Sequence, residues 1–189
     1  MKCSSKVIAL IPARSGSKGI KDKNIQKINS KSLLERAIKS ADVEGIDEVY
    51  VSTDSELYAK KAINFGAKIH KRNQIDASDI ASSESVIKSF IKFIERKNNI
   101  EFTLLLLEPT SPFRNRNHVS SSLKLFNSFD KKLPLVSCCL ANRRPYNLVI
   151  SEDENLIKRD DYLRKFDFKR RQENNKLWRI NSAIYIFNS

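Results

Sequence analysis

The chain has 189 residues, 40 % hydrophobic and 30 % charged, which suffices for one folded domain that buries its core without disulfides or metals. Thirty-five basic against 22 acidic residues give a net charge of +13, compatible with nucleic acid, an acidic membrane surface or small anionic substrates. The longest apolar runs are strand-sized, so no membrane span is expected, and the cations are spread along the chain rather than interleaved with aromatics, which makes nucleic acid the least favoured partner.

In chain order, an apolar strand at 7–11 empties into a small-residue loop, IPARSGSKGIKDKN at 11–24, carrying Arg14, Lys18, Lys21 and Lys23 among Ser15, Gly16, Ser17 and Gly19. The loop is neither a P-loop nor a dinucleotide fingerprint, since it has two glycines and no Gly-Lys-Ser/Thr. Backbone N–H groups and side-chain cations together would still suit a polyphosphate, the bland alternative being a solvated basic loop. The apolar run before the loop is too short for a signal peptide, so a cytoplasmic chain is expected. Leu33, Leu34, Ala37, Ile38 and Ala41 then recur at helical spacing over 32–43, with Ser30 or Ser32 as N-cap. A strand at 46–52 ends in Thr53 and Asp54, and a helix over 55–65 stops at Gly66.

A short strand at 67–70 leads into an aperiodic polar stretch reaching Ser83, and Ile87, Phe90, Ile91 and Ile94 mark a helix over 84–97. The continuous apolar run at 102–107 reads as a central parallel strand buried on both faces, ended by the two prolines of EPTSPFR at 108–114. Val119, Leu123 and Phe126 mark a further helix, and 135–140 a further strand. Residues 143–176 are polar, with a basic run at 165–171, and read as an excursion from the same domain; WRINSAIYIF at 178–187 then resumes a strand with Arg179, Asn181, Ala183 and Tyr185 on one face. Alternating strands and helices predict a doubly wound, mostly parallel α/β sheet, whose ligands lie beyond the carboxyl ends of the strands. The loops at 12–24, 53–56 and 108–114 all leave strands at that end, which favours a nucleotide site.

With these loops placed, the sequence resembles the CMP-N-acetylneuraminic acid synthetases, the acylneuraminate cytidylyltransferase family. The matching stretches are IPARSGSKGI-x-x-KN at 11–24, VSTDSE at 51–56, IASSES at 80–85, LLLEPTSPFR at 105–114, RRQ at 170–172 and RINSAIYIF at 179–187, in an order that spans nearly the whole chain. The resemblance implies a Rossmann-like nucleotide-diphospho-sugar transferase fold with a small dimerisation excursion. It implies transfer of CMP from CTP to an acidic nine-carbon sugar with Mg²⁺ or another divalent cation as cofactor, in a homodimer. By the same resemblance Arg14, Lys18, Lys23 and Asn24 hold the triphosphate, with Arg14 and Lys23 serving catalysis, and Ser83 lies near cytosine or ribose. Arg171, Arg179, Asn181, Tyr185 and the residue at 108 line the sugar side.

Three departures qualify what carries over. Glu108 stands where the sialic acid enzymes usually carry Gln, which shifts the expected sugar toward a relative such as legionaminic or pseudaminic acid. Ser182 stands where the family usually has Gly, at a cost of about 1 kcal/mol if the backbone there needs a positive φ. The family's Asp-x-Asp metal segment lies beyond the point where this chain stops, which leaves open a truncated copy, another metal site, or a binding protein without catalysis. A synthetase for an eight-carbon acid sugar is the alternative within enzymes. Blander expectations stand beside these: Asp54 as a helix cap, Tyr185 and Trp178 as core residues, Arg171 and Arg179 as solvated or paired with Asp160 and Asp161. His70 and His118 read as surface or loop groups, Glu84 as a first-turn helix residue, and Cys3, Cys138 and Cys139 as reduced, buried thiols.

Overall fold

The computed structural model describes residues 6–17, 19–72, 83–98, 101–129, 133–140, 149–152, 155–158 and 178–189. The sheet is built from β1 (Lys6–Pro12), β4 (Glu48–Thr53), β5 (Lys68–Lys71), β6 (Phe102–Leu106), β7 (Leu135–Leu140) and β10 (Trp178–Asn188). Short strands β2 (Lys27–Ile28) and β3 (Lys31–Ser32) form a ribbon after the first loop. The helices are α1 (Leu33–Ser40), α2 (Glu56–Asn64), α3 (Ser83–Asn98) and α4 (Arg116–Ser128). Strand order is β5-β4-β1-β6-β10-β7, with β5, β4, β1 and β6 parallel and β10 antiparallel to β6.

The two faces of β1 explain the helix placement. Ala9 and Ile11 point to one side, where Leu34 and Ile38 of α1, Tyr58 of α2, and Val119, Leu123 and Phe126 of α4 close over them. Ile8 and Leu10 point to the other, where Phe90 and Ile94 of α3 pack with Tyr50, Phe102 and Leu104. β6 is buried along its whole length, as its unbroken apolar run predicts. The chain winds outward from β1 to β4 and β5, then returns through α3 to β6 on the opposite side of β1. The strand order therefore reverses between β1 and β6, and the loops that leave the carboxyl ends of those two strands flank a crevice.

Helix ends follow local chemistry. Ser32 Oγ accepts from the Glu35 N–H at the start of α1, and Ser55 Oγ accepts from the Tyr58 N–H at the start of α2. Asn115 and His118 form a reciprocal capping box on α4. α2 ends at Asn64, with Gly66 at φ 89° beyond it.

The chain divides into two compact units, Met1–Ser137 with Ser182–Ser189, and Cys138–Asn181. In the second unit β8 (Val149–Glu152) and β9 (Asn155–Lys158) pair as an antiparallel hairpin, with Ile150 opposite Ile157. The basic run at 165–171 lies outside the described residues. The alternation expected through Arg179, Asn181, Ala183 and Tyr185 does not carry across Ser182, because that residue adopts φ 58° and a left-handed residue breaks the two-residue period of a strand.

Candidate active site

The loop after β1 is held in shape by two groups from elsewhere in the chain, Asp54 and Tyr58, and by its own Asn24. Asp54, at the end of β4, accepts the Ser15 N–H at 2.8 Å on one oxygen and the Ser15 hydroxyl at 2.5 Å on the other. Asn24 is buried and its Nδ2 donates to the Arg14 carbonyl at 3.0 Å, tying the far end of the loop to its start. The Tyr58 hydroxyl donates to Asp22 Oδ1 at 3.0 Å, and Asp22 itself sits at φ 52°. Gly16 at φ 65° makes the sharp turn that a side chain would strain. Asp54 is thus a loop clamp and not the helix cap expected from sequence, a role Ser55 takes. Burial works to raise the Asp54 carboxyl, but the hydrogen bonds from Ser15 and the nearby Arg72 charge outweigh it and lower its pKa, so it stays ionised.

This loop and the turn after β6 enclose a cleft of about 510 Å³, lined by Arg14, Lys23, Asn24, Arg72, Glu108 and Thr110 among others. Among the described residues, Glu108 is its one acidic lining residue. Burial pushes the Glu108 carboxyl above its ordinary pKa, and the charges of Arg72, Arg114 and Lys23 pull it part of the way back. The cation needed to balance a carboxylate at 108 is therefore present three times over.

Two of those cations were not singled out from sequence. Arg114 is buried: its Nε–H donates to Ser40 Oγ at 3.1 Å, and its Nη1 donates to the carbonyls of Glu108 at 2.9 Å and Ala183 at 2.7 Å. It staples the proline turn to α1 and β10, and burial lowers its pKa to about 10 against the upward pull of Glu108. Arg72, also buried, follows β5; its Nε–H donates to Ser52 Oγ at 3.0 Å and its N–H to the Thr53 carbonyl. The signal available in sequence was only that each arginine stands just after or between strand-end loops.

Of the residues expected at the site, Arg14, Lys23, Asn24 and Glu108 come together around the cleft. Lys18 and Arg171 lie outside the described residues. Ser83 is the first residue of α3, and its side chain is likewise outside what is described. Tyr185 is half-buried against the α3-side core, and its hydroxyl donates to Ser182 Oγ at 3.0 Å. Arg179 and Asn181 belong to the second unit, where Arg179 Nη2 meets Cys139 Sγ at 3.9 Å.

Other expectations are corrected. His70 is buried on β5 rather than at the surface, whereas His118 caps α4 at the exposed surface. Trp178 is 64 % exposed instead of packed in a core, and Cys138 is exposed. Glu84 pairs with Lys88 one turn along α3, as a first-turn residue should.

Among the described residues, the side chains around the cleft do not by themselves make up a divalent-metal site. Among the described residues no three His, Cys, Asp or Glu side chains converge. Asp54 gives both oxygens to Ser15, and Glu108 faces cations.

Comparison with known proteins agrees with this geometry. A family model described as cytidylyltransferase matches residues 8–124. The chain is 33 % identical over 186 residues to an N-acylneuraminate cytidylyltransferase of Escherichia coli O18:K1:H7, covering 97 % of this chain and 42 % of that protein. It is 32 % identical over 189 residues to post-translational flagellin modification protein B of Campylobacter coli, covering 97 % of this chain and 77 % of that one. Among solved structures, a CMP:2-keto-3-deoxy-manno-octonic acid synthetase complexed with CTP superposes with a TM-score of 0.66 at 17 % identity, over 97 % of this chain and 74 % of that chain. The chain spans less than half the length of the first of these relatives. With the fold, the clamped loop after β1 and the family model in agreement over the first two thirds of the sequence, the chain belongs to the cytidylyltransferase family.

Proposed function

We propose that this chain carries the site that transfers CMP from CTP to an acidic nonulosonic sugar. The observation that carries this reading is the Asp54-clamped loop, which brings Arg14 and Lys23 to a cleft at the reversal of strand order. The names of the relatives support a cytidylyltransferase reaction on a sugar acid. In that reaction the anomeric hydroxyl oxygen bonds to the α-phosphorus, the bond from that phosphorus to the bridging oxygen breaks, and pyrophosphate leaves while the hydroxyl proton passes to solvent or base. No covalent enzyme intermediate is needed, so catalysis rests on aligning the two reactants and neutralising the phosphoryl oxygens. Arg14, Lys18, Lys23 and Asn24 serve the triphosphate in this reading, Ser83 the nucleoside, and Glu108, Arg171, Arg179, Asn181 and Tyr185 the sugar.

Glu108 separates the candidate sugars. A carboxylate there accepts hydrogen bonds from an amide or hydroxyl of the sugar, and its place where the sialic acid enzymes usually carry Gln is the ground for reading the sugar as a legionaminic or pseudaminic acid. A homodimer formed through 143–176, a cytoplasmic location and a Mg²⁺ requirement belong to the same proposal. The alternative reading is a nucleotide-binding protein that does not turn over.

Pyrophosphate release decides between them. The full chain is given CTP and Mg²⁺ with each of the three sugars, beside a no-sugar control and a Mg²⁺ titration. Sugar-dependent release supports the transferase. A folded chain that binds CTP and releases no pyrophosphate with any sugar leaves the second reading, and a chain that binds no CTP overturns both.

A further inference from the structure

Behind the cleft, a chain of polar groups runs from Arg72 into the core. Arg72 lines the cleft and is buried, and its Nε–H donates to Ser52 Oγ at 3.0 Å. The same oxygen lies 3.0 Å from His70 Nδ1. Ser52 is fully buried and His70 is 4 % exposed. His70 stands between two rings of α3, with centroids 5.3 Å from Phe90 and 5.1 Å from Phe93, and these contacts fix the plane of the imidazole.

The direction of the chain follows from its donors. A guanidinium Nε–H can only donate, so Ser52 Oγ accepts from Arg72. Its hydroxyl hydrogen can then be given to Nδ1, the arrangement that goes with the ring proton on Nε2. In that tautomer the order is Arg72 Nε–H to Ser52 Oγ–H to His70 Nδ1. An arginine held at Nε by an oriented acceptor has its guanidinium plane set before any anion arrives, and pre-set cations bind phosphates with less ordering cost. Asp54 and Glu108 both feel the Arg72 charge, so its orientation also bears on the loop clamp and on the acid of the cleft.

We propose that His70 and Ser52 are positioning residues that hold the Arg72 guanidinium toward the nucleotide, with His70 accepting from Ser52 through its Nε2-protonated tautomer. The inference rests on the reading of the cleft as a CTP site, and it deepens that reading by naming residues that never touch the ligand.

Three variants of the full chain test it. Ser52→Ala removes the middle of the chain, His70→Phe keeps an aromatic ring among Phe90 and Phe93 but removes the acceptor, and His70→Asn keeps an acceptor near the position of Nδ1. CTP affinity by calorimetry is expected to fall about tenfold in the first two and to stay near wild type in the third. In an Arg72→Met background His70→Phe is expected to cost nothing more, since the effect passes through Arg72. Equal affinity loss in His70→Asn and His70→Phe, or an equal loss with and without Arg72, overturns the proposal. A ¹⁵N spectrum of the ligand-free protein keeps this test separate from the function proposed above. The Arg72 Nε–H signal should shift in Ser52→Ala and His70→Phe and return in His70→Asn, with unprotonated Nδ1 at His70 in the wild type. If the wild-type chain binds no CTP the function falls, and an Arg72 signal that ignores all three variants overturns the positioning role.

Discussion

At the scale of single residues, the cleft sets three cations against one buried acid. Burial holds the Glu108 carboxyl above its ordinary pKa despite Arg72, Arg114 and Lys23. A carboxyl whose folded-state pKa is raised contributes stability below its unfolded pKa and loses it as pH rises through the folded value. Glu108→Gln should therefore leave the melting temperature unchanged near pH 4 and raise it increasingly toward neutral pH. It should also tighten CTP, because one negative charge leaves the cleft, and it should shift the preference among sugars. A melting temperature that falls at neutral pH in the variant would show that the carboxylate is a structural partner of the arginines. Arg14→Ala tests the opposite sign. Under the proposed function it removes phosphate neutralisation from a half-buried loop side chain, so turnover should drop by about 100-fold while stability changes by about 0.5 kcal/mol or less. Comparable loss of both would make Arg14 structural. Arg14, Lys23, Asn24 and Glu108 were legible because they sit in motif stretches at strand ends. Arg72 and Arg114 were not, since a lone arginine in sequence gives no sign of burial, and theirs comes from partners such as Ser40, Ser52 and Ala183 that are distant in the chain.

At the scale of elements, the apolar runs and helical stripes placed β1, β4, β6 and α1 to α3 within a few residues of their observed bounds and marked the stripe of α4, because each buries a face whose period is visible in sequence. β10 is where period failed as a guide. Ser182 adopts φ 58° within that strand, and the residues before it are exposed while Ile184 and Ile186 after it are buried. A serine in that conformation is strained by about 1 kcal/mol relative to glycine. Its hydroxyl accepts from Tyr185, a partner that glycine would remove. That bond is exposed and contributes less than the relieved strain. Ser182→Gly should consequently raise the melting temperature by about 2–4 °C for a chain of this size. A lower melting temperature would mean that the Tyr185 bond outweighs the backbone term. The same paired effects explain why Asp54 was misread: a carboxylate before a helix looks like a cap, and only the return of the loop to β4 shows Ser15 as its partner.

At the scale of the whole molecule, the charge of +13 and the cleft charges make different demands on salt. Exposed cations are screened beyond about 8 Å at physiological ionic strength, whereas buried or half-buried groups a hydrogen bond away from a phosphate are screened much less. A protein that binds nucleic acid through such a surface releases several counterions, and its affinity falls steeply with salt, by roughly one power of salt concentration per phosphate neutralised. Under the proposed function, one CTP triphosphate would meet Arg14, Lys23 and Arg72, which line one cleft. Its affinity should decline only shallowly between low and physiological salt, and competition by a random oligonucleotide should vanish over the same range. A CTP affinity that falls as steeply as oligonucleotide binding would place the nucleotide on the general basic surface. In that case Glu108→Gln should have no effect on CTP, because a diffuse field does not depend on one acid in the cleft.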